Sequence, residues 1–115
     1  MSQHVSNVGK TFPANADLSA NQHRFVSLTT AGKAQQAGAG AAAVGIQGNK
    51  PDAADRATLV ALLGSGTAKL VTKTSIGGSI AVGDLLKSTS DGRGEKASSG
   101  DRTLVQALAA STADN

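Results

Sequence analysis

The chain has 115 residues, with only two aromatics (Phe12 and Phe25), fourteen glycines and no cysteine. That length suits a single domain, and the missing cysteine excludes disulfides, thiolate metal sites and thiol nucleophiles. The net charge of +3 comes from eleven basic residues, no two adjacent, whereas nucleic-acid footprints are clustered and interleaved with stacking aromatics.

With so few rings, the core must come from Val, Leu, Ile and Ala, each large aliphatic contributing roughly 1.5–3 kcal/mol when fully buried. The glycines add backbone entropy to the cost of folding. A domain built this way is marginal alone and gains stability from partners that bind its folded form. No stretch approaches the roughly 20 apolar residues of a membrane span, and Met1–Thr11 lacks the apolar run of a signal peptide. The expected setting is a cytosol, or particles assembled there.

In chain order, Met1–Thr11 has no sustained period and predicts an irregular arm, with Phe12-Pro13 anchoring it; the arm spans 1–13 and the domain 14–115. Arg24–Thr29 predicts a strand, Ala31-Gly32 a turn and Lys33–Gln36 the return strand of a hairpin. Ala37–Ala43 is small in side chain and fits a flexible loop, with a tightly packed seam as the alternative. Val44–Gln47 predicts a short strand with Val44 and Ile46 on one face, followed by a loop at Gly48–Asp52.

Ala53–Leu63 fits either a short helix capped by Asp52 or a buried strand. Its place between Pro-Asp and Gly-Ser-Gly turn signals favours the strand. Gly64–Gly66 would then turn into a strand at Ala68–Thr72. Ile76–Asp84 predicts a bend, Leu85–Ser88 a strand, Ser90–Gly92 a turn and Gly94–Ala97 the strand after it. Thr103–Ala110 is the last apolar segment. Short strands with turns every 8–12 residues predict an all-β fold, a small antiparallel barrel or sandwich with at most one short helix.

The chemistry-bearing residues form no recognisable set. His4 and His23 have no carboxylate or second histidine at metal-ligand spacing. Gly64-Ser65-Gly66 lacks the spacing of a nucleophile elbow, and Glu95 has no carboxylate partner for acid–base work. Neither Gly38-Ala39-Gly40 nor Gly77-Gly78 is followed by the Gly-Lys-Ser/Thr of a phosphate loop. The sequence therefore predicts no catalytic, cofactor-binding or metal-binding residue, and a protein that is not an enzyme.

Several stretches carry a family resemblance by their order: Ala16–Val26, Ala43–Pro51, Gly66–Val71, Ile80–Ser88, Asp91-Gly92 and Ala107–Asp114. From about Ala14 onward the chain resembles the small capsid decoration, or cement, proteins encoded beside the major capsid gene of tailed bacteriophages. The resemblance implies a structural virion protein on the outer surface of the head, made in the host cytoplasm. Its partners would be the major capsid protein and further copies of itself, as a trimer or a dimer, with no nucleic acid or membrane. The family continues past the Ala-Asp turn with a glycine and a final apolar strand; either this member lacks that strand, which would leave Thr103–Ala110 an open edge, or the strand lies beyond this sequence. In a cementing mechanism the arm or an exposed edge adds a strand to a capsid subunit, and Val5, Val8, Phe12 and Pro13 are the candidate capsid-contact residues. The alternative is a small carrier or ligand-binding β-barrel, because Ile80–Leu86 is similar to a turn of biotinyl and lipoyl folds. Lys73 and Lys87, however, lack the neighbours of a modified lysine.

Overall fold

The computed structural model describes residues 9–63, 69–74, 78–98, 101 and 103–107. Among them there is no helix, and the strands form two antiparallel sheets. The strands are β1 (Gly9–Pro13), β2 (Phe25–Leu28), β3 (Ala34–Gln36), β4 (Gly45–Gln47), β5 (Ala57–Leu62), β6 (Leu85–Ser88), β7 (Gly94–Lys96) and β8 (Val105–Gln106).

The first sheet has the order β1-β5-β4-β2-β3. Its two outer strands meet at a parallel bridge between Ala14 and Ala34, where Asn15 N–H donates to Ala34 O at 2.8 Å. The sheet thereby closes into a small barrel, which hides part of its edges. Ala14, Leu18, Val26, Ala34 and Val60 fill it, with Phe12, Val44 and Leu62 packed against them. The segment that admitted helix or strand is β5, an inner strand between β1 and β4. Thr58 and Val60 are buried while Ala57 and Leu59 are exposed, the period of two that a half-buried strand requires.

Two of the expected elements change. Gly9–Pro13 is not irregular: it pairs along its whole length with β5, from Gly9 opposite Ala61 to Pro13 opposite Ala57. One ring, Phe12, provides the apolar contact that holds this strand to the core, too little for a periodic signal in sequence. Lys69–Thr72 does not form a strand beside β5; Thr72 instead makes a parallel bridge to Gly94. The turn expected at Gly64–Gly66 lies outside the described residues.

The second sheet, β7-β6-β8, encloses Ile80, Leu86 and Ala107, flanked by Leu70 and Val105. A third cluster, Phe25, Ala37 and Ile46, lies between the two sheets and is covered by Leu70, Leu104 and Val105 of the second and by Ala41, Ala43 and Leu63 of the first.

The second half repeats the first. Strands β6, β7 and β8 begin sixty residues after β2, β3 and β4, and pair in the same registers: Phe25–Ile46 and Val26–Gly45 in one half, Leu85–Gln106 and Leu86–Val105 in the other. The hairpin turns match bond for bond. Thr29 N–H donates to Lys33 O and Gly32 N–H to Thr29 O; Thr89 N–H donates to Arg93 O and Gly92 N–H to Thr89 O. In both turns the threonine Oγ1 accepts the basic residue's N–H, and the glycine has positive φ, 78° and 81°. His23 (φ 65°) and Gly83 (φ 92°) also correspond.

A β-bulge recurs as well. Val26 O accepts from Val44 and Arg24 O from Gln47; Leu86 O accepts from Leu104 and Asp84 O from Ala107. Three residue steps on one strand thus match two on its neighbour. The bulge explains why Val44 and Ile46, expected on one face, serve different clusters: Val44 joins the barrel core and Ile46 the cluster between the halves.

Candidate interaction surfaces

The described residues include no group of three or more His, Asp or Glu able to hold a metal ion. The polar side chains gather instead around turns and strand pairs. The best-formed cluster centres on Asp91 in the β6–β7 turn. Its carboxylate accepts from Thr89 Oγ1 and from Arg93 Nε at 2.9 Å, pairs with Arg93 Nη2 at 2.9 Å, and lies 3.9 Å from Arg24 Nη1. Burial raises the Asp91 pKa, but the Thr89 and Arg93 hydrogen bonds and the charges of Arg93 and Arg24 together hold it well below the usual carboxylate range. The Arg24 side chain also donates to Asp91 O at 3.2 Å, so the cluster joins the first half to the second.

On the second sheet, Lys87 sits opposite Glu95 and bonds Asp101 Oδ2 at 2.9 Å. The Asp101 hydrogen bond raises the lysine's pKa above its ordinary value and, with the Ser98 N–H, lowers that of Asp101. The matching positions in the first half are Ser27, Gln35 and Ala41, so this charged trio belongs to the second half alone. Both clusters have the form of stabilising ion pairs on strands and turns.

Among the described residues, the large apolar side chains displayed to solvent are Leu59, Val82 and Leu85, at 48%, 67% and 50% exposure. Leu85 stands where Phe25 stands in the first half. Phe25 is fully buried because the second half covers it.

Of the residues expected to touch a capsid, Val5 and Val8 lie outside the described residues. Phe12 is half-buried against the barrel core, with Lys10 Nζ 5.6 Å from its ring centroid. Pro13 is exposed opposite Ala57 and has no N–H to offer a further strand. The structure thus uses Phe12 within the chain while leaving part of it accessible. Leu85 escaped sequence reasoning because an apolar residue in a predicted strand looks buried until its surroundings are known, and Val82 because it fell in a predicted bend. The signal available was the recurrence of Thr-x-x-Gly-basic-small at Thr29–Ala34 and Thr89–Gly94, which places Leu85 at the outer end of a second unit.

No family model, curated protein or solved structure matches the chain.

Proposed function

We infer that this protein is a structural, non-catalytic component of a tailed-phage virion. It binds the outer surface of the head and cements neighbouring major capsid subunits. The observation that carries the reading is the exposure of Leu59, Val82 and Leu85 on so small an all-β domain, large apolar side chains that a partner's surface can bury. The order of stretches shared with decoration proteins supplies the class of partner. Strand β1 presents an outer edge from Gly9 to Phe12 to which a capsid segment can add. Many copies on one lattice turn weak individual contacts into firm attachment.

The test is co-sedimentation with expanded heads of the phage that carries the gene. The full chain should bind at a saturating, fixed ratio and raise the temperature at which heads release DNA. Leu59→Lys, at an exposed position, should keep its circular dichroism and lose most of its attachment, and a variant lacking residues 1–8, which spares β1, tests the N-terminal segment that carries Val5 and Val8. Failure of the full chain to co-sediment would overturn the cementing role; unchanged attachment of the truncated chain would shift the contact from the N-terminal segment to β1 or to Leu59.

A further inference from the structure

The internal repeat supplies a template for a contact the single chain leaves unmade. The second half docks on the first through its β6–β7 turn. Phe25 N–H donates to Gly92 O at 2.7 Å and Gly40 N–H to Ser88 O at 3.0 Å; Gln36 Nε2 donates to Ser90 O at 3.2 Å, and Arg24 to Asp91 O. Leu70, Leu104 and Val105 then cover Phe25. The main parts of this joint have counterparts at the opposite ends of the chain that meet no second half there: Asp84 and Lys96 pair with each other's side chains, at 3.8 Å, and Phe12 and Val44 pack inward against the barrel core while staying partly accessible. The receiving end recurs at Asp84, Leu85 and Lys96, the counterparts of Arg24, Phe25 and Gln36, with Leu85 half-exposed and Lys96 exposed. The docking end recurs at Thr30, Ala31 and Gly32, the counterparts of Ser90, Asp91 and Gly92, and all three are exposed. Behind that turn, Phe12 and Val44 match Leu70 and Leu104 and are only half-buried.

We propose that a second copy of this chain docks its Thr30–Gly32 turn, with Phe12 and Val44 behind it, on the Val82–Leu85 surface, repeating between copies the joint that holds the two halves together. The contact is head-to-tail: the patch on one copy differs from the patch on the next, so it closes into a ring if the rotation permits. The receiving surface is more polar than its template, with Gln106 and Asp101 where the first half has Ile46 and Ala41. The association between copies is therefore weaker than the joint within one chain and depends on concentration. This goes beyond the proposed function, which concerns contact with the head; the template for a contact between copies comes from the internal repeat.

Two measurements test it. In sedimentation velocity over a concentration series, the wild type should form a species heavier than the monomer. Leu85→Lys and Val82→Lys, at exposed positions, should keep the circular dichroism melt and raise the midpoint concentration of association roughly tenfold or more. The chain has no cysteine, so a tagged Thr30→Cys chain mixed with an untagged Lys96→Cys chain should form the mixed disulfide in preference to either homodimer. A wild type that stays monomeric at every concentration overturns self-association, while the head co-sedimentation above still decides the cementing role. An oligomer that persists in Leu85→Lys, or cysteine chains that give only homodimers, overturns this surface alone.

Discussion

At Gly45, an added Cβ would lie 2.2 Å from Ala61 O and 2.6 Å from Val60 Cγ1. Strand β5 passes too close for any side chain, and neither the backbone carbonyl nor the buried Val60 can withdraw. Gly45→Ala should therefore cost about 1–3 kcal/mol as overpacking, seen as a lower urea midpoint. Gly38, with open space around it and no positive φ, is the control: Gly38→Ala should be neutral or stabilise by about 0.4–1 kcal/mol through the unfolded chain. Asp91 decides an acid-side behaviour. Its pKa is depressed in the folded protein, so the stability it contributes is complete above the unfolded carboxylate range near 4 and is lost as pH falls through and below it. The side chain is 33% exposed, so solvent screening limits the effect of Asp91→Asn at pH 7 to about 1 kcal/mol. Thermal melts from pH 7 to pH 2 should show a shallower acid decline in that variant, with Asp17 and Asp101, also depressed, supplying what decline remains.

Among the elements, the two hairpins β2–β3 and β6–β7 share one turn and differ in surroundings. Both glycines occupy left-handed backbone, so replacement by alanine costs about 1–2 kcal/mol at either. An added Cβ at Gly32 meets nothing within 4 Å, whereas at Gly92 it would lie 3.0 Å from Phe25 O. Gly92→Ala should thus lower the urea midpoint more than Gly32→Ala, and the excess measures the joint between the halves. These hairpins were legible because their turn residues and strand types agree locally. Strand β5 was legible once its flanking turn signals were weighed against its alanines. Strand β1 was not: a glycine, a proline and one ring give no period, and its existence depends on β5, more than forty residues away. The bulge on β4 was equally hidden, because it is written in hydrogen bonds rather than in residue type. The repeat stayed concealed because its matching core positions face different neighbours: Phe25 and Ile46 abut the other half, while Leu85 and Gln106 face outward.

For the whole molecule, the cluster around Phe25 couples two units into one folding body. Leu70 touches both that cluster and the core of the second half. Leu70→Ala should cost about 2 kcal/mol and leave a single unfolding transition, because both units lose the same contact. Two separated transitions by calorimetry and circular dichroism would show that the halves unfold independently. The candidate contact surface is a property of this scale too, since nothing about Leu85 marks it as exposed until the duplicated architecture shows that its covering partner is not within the same half-pair.

The position occupied by Gly45 is held in the second half by Val105, whose side chain packs against both the second core and the cluster at the joint. One slot of the duplicated pattern must be empty and its twin must be filled, so the halves are no longer interchangeable parts. A gene in which the two stretches traded places would drive a valine into β5 and leave a hole at the seam. The order in which they are translated gives the molecule a front and a back.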